Sequence, residues 1–361
     1  MPGKFTVEDL HSIVYRIFHK AGCRPTDADS IAQVLIAAEL RGIPSHGIVR
    51  IKDYIGLYQK GRMNMQPEIR IVHETPSTAT IDGDNGPGIV VAMEAMKTAI
   101  SKAETAGSGW VAVRNSNHFG IAGFYSLMAA QKDMIGIAST NANALVAPTF
   151  SIDRMLGTNP IAFAIPGKEE KPFVADFATT PIARGKLEIM EKQGKTAPEG
   201  FIQDAEGNVS TDPSVLKRGG AILPLGGDYE HSSYKGYCMS AMVDILSAVI
   251  PGANFGPFVP PQVAYLEPKA ESPGEGLGHF FGAMRLDAFR PADEIKSYLD
   301  LWIRTFRNAK AADEQTPVLI PGDPEYAKEN ELKENGISII PQVWDELIKC
   351  ADSLGLDLNQ K

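Results

Sequence analysis

An α/β fold is predicted for this 361-residue chain, a helix-backed sheet joined to a separate helical unit. Three observations predict it. Between about residues 78 and 140, strand-length apolar runs alternate with helical patterns, the spacing of a sheet covered by helices. The first 60 or so residues, and the stretch after Pro291, instead repeat apolar residues at helix period. A hydrophobic content of 43% with 22% charged residues is that of a globular chain, and the length suits about two domains of roughly 150 residues.

The elements are justified in chain order. Thr6-Val7-Glu8-Asp9 has the form of a capping box with Asp in place of Glu, and Leu10, Ile13, Val14, Ile17 and Phe18 then make one apolar stripe. A second helix comes after Thr26, with Ile31, Val34, Leu35 and Ala38 inward. A third is predicted from about Ser45 to Gln59, where Ile51, Tyr54, Ile55 and Tyr58 keep the spacing and Gly61 ends it. Strands are predicted at 78–83, 110–114, 134–140, 161–165, 173–177 and 279–287, and helices at 88–107, 120–133 and 235–250. Residues 185–232 read as irregular, and 250–262 as a Gly/Pro loop. From Pro291 the chain returns to helices, which are expected to pack back on the first ones.

Charge and cysteine usage narrow the function classes. A net charge of −9 gives no electrostatic claim on nucleic acid or an anionic membrane, so neither is expected as a partner. Cys23, Cys238 and Cys350 are far apart and form no CxxC pair, as reduced thiols of a cytoplasmic protein would. MPGKFTVEDL carries no secretory pattern, and MVDILSAVI (242–250) is too short to cross a bilayer. The expectation is a soluble cytoplasmic protein.

Five segments could carry chemistry. In IPSHGIVR (43–50), Pro44 favours a helix start, Ser45 can cap it, and His46 and Arg50 then share a helical face at i, i+4. A guanidinium fork grips a carboxylate with two parallel hydrogen bonds, while an imidazole trades a proton with the neighbouring oxygen; a 2-oxo or 2-hydroxy acid needs both. Residue types alone favour a plainer account, a capping serine beside two solvated residues. In RNSNHFG (114–120), His118 falls between a strand end and a helix start, where α/β sheets take ligands; a half-exposed loop histidine fits equally well. Asp176 in FVADF either caps the segment after its strand or orients a histidine. Asn159 in GTNP (157–160) sits in a turn that could present amides to a ligand, although a plain turn is the simpler reading. Lys235 in YKGY (234–237) is either a solvated lysine or a cation at a helix start, where phosphate binds. GPGIVV (86–91) is a near miss to a dinucleotide fingerprint, with Val91 in place of the third glycine. No Walker loop, HExxH or GxSxG is present, and no His, Cys or Asp cluster has metal-ligand spacing, so no metal is expected.

Six segments in order resemble the type-2 malate/L-lactate dehydrogenase family: RGIPSHGIVR, RNSNHFGIAGFYS, GTNPIAFAIPG, VADFATTPIARGK, STDP and YKGYCMSAMVDILS. The resemblance spans nearly the whole chain. It implies a non-Rossmann NAD(P)-binding α/β domain, here 76–289, with a helical domain built from both chain ends, 1–75 and 290–361. It implies a homodimer with the site near the interface. Carried over by motif, His118 matches the usual proton acceptor, and Ser45, His46 and Arg50 match residues at the substrate and nicotinamide. Asp176 matches an acid that serves cofactor contact in some members and a Ser-His-Asp proton relay in others. Asp176-Phe177-Ala178, Lys235 and Pro321-Gly322-Asp323 match cofactor-binding positions, and the amides of the Asn159 turn are counted with them as cofactor-binding candidates. Ala142 stands where relatives place a Ser or Thr on the cofactor, so Thr140 or Asn141 would have to supply that contact. Cys238 replaces a usual glycine.

The resemblance thus implies hydride transfer between nicotinamide and C2 of a 2-hydroxy/2-oxo acid, with malate/oxaloacetate first. Lactate, ureidoglycolate, sulfolactate and a cyclic-imine carboxylate are the alternatives. NAD is the expected cofactor and NADP its alternative. Arg154, Arg184 and Lys186 are the candidates for a second substrate carboxylate. A rival from another class is a Ser45-His46-Asp176 hydrolase, which lacks a nucleophile elbow, and adjacent Ser and His do not face each other on a helix.

Overall fold

The computed structural model describes residues 3–313 and 316–358, so the parts of the expected helical segments at 1–2, 314–315 and 359–361 lie outside the described residues. At the N-terminal end, β1 (Lys4–Phe5) precedes α1 (Val7–Lys20). The capping box forms with Asp in the Glu role: Thr6 Oγ1 accepts the Asp9 N–H, and Asp9 accepts the Thr6 N–H. α2 (Pro25–Leu40) comes next, with Pro25 at its first position, where no N–H is needed.

The third predicted helix begins late. Residues 44–50 form two successive 3₁₀ turns, Pro44–His46 and Ile48–Arg50, before α3 (Ile51–Gln59). Gly47 separates them with φ −94° and ψ −137°, which no α-helix contains. His46 and Arg50 therefore do not share an α-helical face as the spacing suggested. Gly47 is there because the chain crosses the buried Glu39, whose Oε1 would lie 2.2 Å from a Cβ at this position and accepts the Ile48 N–H at 2.8 Å.

Next come β2 (Arg70–Glu74), β3 (Thr78–Asp82), α4 (Gly88–Ala106), β4 (Ser108–Ser116), α5 (Ala122–Ala130), β5 (Met134–Thr140), β6 (Ile161–Ile165) and β7 (Phe173–Phe177). The region read as irregular contains α6 (Arg184–Lys192) and a small sheet of β8 (Ile202–Gln203), β9 (Val209–Ser210) and β10 (Ala221–Ile222). Its two-residue strands are too short for any periodicity to register. It has its own apolar cluster, which includes Val146, Leu156, Leu187, Ile202 and Ile222. α7 (Ser233–Asp244) runs into a π-helical turn, Ile245–Val249, and β11 (Leu277–Arg285) returns to the main sheet.

That sheet has seven strands in the order β2-β3-β4-β11-β5-β6-β7. β3 and β4 are parallel, joined through α4; the other neighbours are antiparallel. The fold is mixed α/β. One apolar core runs from Leu10, Ile17 and Leu35 of α1 and α2 into Val91, Val111 and Phe281 under the sheet.

Beyond β11, α8 (Ala292–Arg307) lies against the β6–β7 turn, where Asp300 accepts the N–H groups of Lys168, Glu169 and Glu170. α9 (Asp323–Asn335), β12 (Ile337–Ser338) and α10 (Pro341–Ser353) return to the N-terminal helices. There Arg41 pairs with Glu329 at 3.5 Å, Lys52 pairs with Glu346 at 2.6 Å, and β12 pairs with β1. Among the described residues no helix is long and apolar enough to cross a membrane.

Candidate active site

His118 lies just past the carboxyl end of β4. The loop that carries it is pinned to the start of α4, because the Asn117 Nδ2 donates to Gly86 O at 2.9 Å and to Asn85 O at 3.1 Å. Gly88 opens α4 directly against this loop; a Cβ there would sit 1.9 Å from Asn117 O and 2.5 Å from His118 O. The glycine that stood in a broken fingerprint thus serves close packing against the His118 backbone.

Beneath the loop a second histidine is locked into the sheet. His279 of β11 is fully buried, with Nδ1 2.7 Å from Thr140 Oγ1 and Nε2 2.8 Å from Ser116 Oγ. The Thr140 hydroxyl donates to Gly278 O at 2.9 Å, so it accepts from Nδ1–H, and Ser116 donates to Nε2. Burial holds His279 neutral, with its pKa down at about 3. Phe119 stacks on its ring at 4.8 Å, which fixes the residue next to His118.

The two candidate histidines meet. The His46 and His118 rings stack with centroids 5.3 Å apart and planes 28° apart. His46 Nδ1 lies 2.9 Å from Ser45 Oγ, so the adjacent serine and histidine do face each other, because the backbone here is a 3₁₀ turn and not an α-helix. His118 Nδ1 lies 2.7 Å from the Tyr54 hydroxyl of α3 and 3.4 Å from the Gly120 N–H. A proton on Nδ1 donates to Tyr54 and frees the Nε2 lone pair; a proton on Nε2 makes the tyrosine the donor. The His118 N–H donates to Gln262 Oε1 at 3.0 Å, from the Gly/Pro loop.

Arg50 stands beside both rings. Its Nε donates to Ser45 O at 2.7 Å and its Nη1 to Asp53 at 3.2 Å. Surrounding protein, then the Arg50 charge, lower the His46 pKa to about 4 and hold His118 well below its ordinary value. Both imidazoles are neutral near pH 7.

Asp176 ends β7 and accepts the Gly123 N–H, at the start of α5, at 2.7 Å. It is solvent-accessible yet sits in a recess; the surrounding protein raises its pKa to about 6, opposed by the Gly123 bond and by Arg41. No described hydrogen bond links it to His46, so the triad of the hydrolase reading does not form. Phe177 beside it is two-fifths exposed, and Val174 of the same strand donates its N–H to Pro321 O at 3.2 Å. The Asp176-Phe177-Ala178 and Pro321-Gly322-Asp323 segments therefore adjoin. Gly322 has φ +102° and Asp323 pairs with Arg307 at 2.9 Å.

Other sequence candidates go elsewhere. Thr140, Asn141 and Asn159 are buried, and their polar atoms are engaged inside the protein. Asn141 Nδ2 donates to Asp244 and to Asn254 O, and Asn159 joins Ala142 N–H to Ser240 O. These side chains tie the end of β5 to α7 through bonds inside the protein. Lys235 is exposed near the start of α7, its Nζ 5.9 Å from the Tyr234 ring, with no described contact to the histidines. Sequence reasoning missed Tyr54 and Gln262 as site residues. Tyr54 was legible only as a polar tip on an apolar stripe; Gln262, which is 144 residues from His118 in sequence, left no local signal.

Neutral imidazoles can exchange protons, and a guanidinium beside them can hold a carboxylate. Residues 5–348 match the Malate/L-lactate dehydrogenase family, and the chain belongs to it. It is 41% identical over 349 residues to a malate dehydrogenase of Pyrococcus horikoshii, covering 96% of this chain and 94% of that one. It is 39% identical to an L-sulfolactate dehydrogenase of Methanocaldococcus jannaschii, covering 97% of both. A solved malate dehydrogenase of Entamoeba histolytica superposes with a TM-score of 0.91 at 35% identity, covering 99% of both chains. The protein is a hydroxyacid dehydrogenase, and a nicotinamide cofactor is implied.

Proposed function

We propose that this enzyme interconverts malate and oxaloacetate with NAD. The stacking of His46 on His118 beside Arg50 carries the reading, and the malate dehydrogenase relative at 41% identity supports the substrate. Arg50 grips the C1 carboxylate through its guanidinium fork. That carboxylate also offsets the charge that depresses both histidines, so substrate binding raises their basicity. His118 exchanges the C2 hydroxyl proton through its ring, which Tyr54 orients at Nδ1. His46, oriented by Ser45, stacks on His118 and lines the same site. The nicotinamide, when bound, supplies the hydride chemistry.

Asp176-Phe177-Ala178 and Pro321-Gly322-Asp323 would hold the cofactor, with Lys235 as a candidate cation for a phosphate. They fit it: Phe177 offers an exposed aromatic face, and Gly322 keeps the turn open where a Cβ would meet Val174 N at 3.4 Å. A homodimer is supported by the apolar stripe that α7 and its π turn leave uncovered, where Met242 is 62% and Val249 57% exposed. Cys23, Cys238 and Cys350 are unpaired, which fits a reducing cytoplasm.

The test is absorbance at 340 nm with oxaloacetate, pyruvate, sulfopyruvate and the oxo product of ureidoglycolate, each with NADH and NADPH. Fastest turnover of oxaloacetate with NADH is expected; a higher kcat/KM for another acid reassigns the substrate. Arg50→Lys raises KM sharply, since a point charge cannot replace the fork; unchanged kinetics removes Arg50 from the site.

A further inference from the structure

A cavity of about 550 Å³ lies between α6, the 213–217 segment and the loop 257–269, and the end of β5 leads into it through Asn143 and Ala144. Its volume is that of a small-molecule site. His46, His118, Arg50 and Asp176 do not line it, whereas Arg154 and Arg184, two of the candidates for a second substrate carboxylate, do. Its walls carry four cations, Arg154, Arg184, Lys217 and Lys269, against three carboxylates, on a chain whose net charge is −9.

The cations are not equivalent. Lys217 is neutralised by Glu191 at 2.7 Å, and Arg184 donates to Glu188 at 2.7 Å. Lys269 lies over the Phe258 ring at 5.0 Å. Arg154 has no carboxylate partner among the described residues. Its Nε donates to Gly220 O and its Nη2 to Leu216 O, both at 2.7 Å, so main-chain carbonyls clamp the planar head and leave Nη1 uncommitted. Burial opposes its charge, and Arg184 repels it. A half-buried guanidinium that has no carboxylate partner is stabilised when an anion meets it.

We propose that the Arg154–Arg184 cavity is a binding site for a small carboxylate or phosphate anion. The loop that walls it connects it to the active site. Gln262 of that loop accepts the His118 N–H, and Arg62 fixes the same loop by donating to Pro261 O and Leu266 O, each at 2.7 Å. Two sources have the right chemistry, the far anionic group of the substrate and a separate anion; the first rests on the dehydrogenase reading above, the second does not.

Titration calorimetry with inorganic phosphate tests the site without any turnover. One saturable site is expected in the wild type, weakened at least tenfold by Arg154→Gln and by Arg184→Gln, and retained by Arg50→Gln. Arg184→Gln leaves the Arg154 clamp intact, so it serves if Arg154→Gln fails to fold. Steady-state rates then identify the source. A tenfold fall in the ratio of kcat/KM for oxaloacetate over pyruvate in either variant assigns the anion to the substrate's far end. An unchanged ratio with weakened phosphate binding assigns it to a separate anion. Wild-type phosphate isotherms in both variants, with an unchanged ratio, overturn the proposal.

Discussion

Gly88→Ala puts one methyl group where the account says the site has no room. The added Cβ would lie 1.9 Å from Asn117 O and 2.5 Å from His118 O, both main-chain atoms that cannot swing aside. Real Cβ contacts stay above about 3.0 Å, so α4 and the His118 loop must separate by at least about 1.1 Å. The loop resists, because Asn117 holds Gly86 O and Asn85 O from the same side chain. Overpacking of this kind costs about 1–3 kcal/mol. A shift of about 1 Å in a proton-transfer group costs on the order of 10²-fold in rate. Urea denaturation and kcat with oxaloacetate and NADH read the two effects separately. Gly185→Ala is the control, since nothing lies within 4 Å of a Cβ there. Wild-type stability and kcat in Gly88→Ala would refute the claim that this glycine sets the position of His118.

Two further substitutions probe the supports of the histidines. Tyr54→Phe keeps the buried ring and removes the hydroxyl on His118 Nδ1, so kcat falls about tenfold or more while stability drops by about 1 kcal/mol; an unchanged kcat would show that the hydroxyl does not orient the imidazole. Glu39→Gln addresses the buried carboxyl under the 44–50 turns, whose pKa burial raises to about 7 from 4.5. A raised carboxyl adds stability that is full below about pH 4.5 and gone above about pH 7, so wild type loses about 2–3 kcal/mol relative to Glu39→Gln between pH 5 and pH 8. Urea midpoints at the two pH values check this, and a pH-independent difference would contradict the burial argument.

Strands β5, β6 and β7 were legible to the residue, because alternation and flanking turn residues act over a few positions. The sheet order was not legible. β11 inserts between β4 and β5, pairing Phe281 with Val111 and Ala138, and nothing local encodes a partner so far along the chain. The 43–50 motif was read with the wrong geometry: helix periodicity cannot foresee that Gly47 must cross Glu39. That crossing is what turns Ser45 toward His46. Thr140 and Asn141 show a second limit, since their partners lie far along the chain. The resemblance offered them in place of Ala142 for a cofactor contact, and in the structure His279 and Asp244, from distant segments, hydrogen-bond to them. Tyr54 combined both limits, since an aromatic on an apolar stripe reads as core, and here it is core whose hydroxyl reaches His118.

The most direct test of the central claim is a double-mutant cycle on kcat with His46→Ala, His118→Ala and the pair, in the NADH-dependent reduction of oxaloacetate. Rings stacked at 5.3 Å in one site predict a loss of about 10²-fold or more in each single variant, and a loss in the pair well short of the product of the two. Wild-type turnover in both single variants would contradict it.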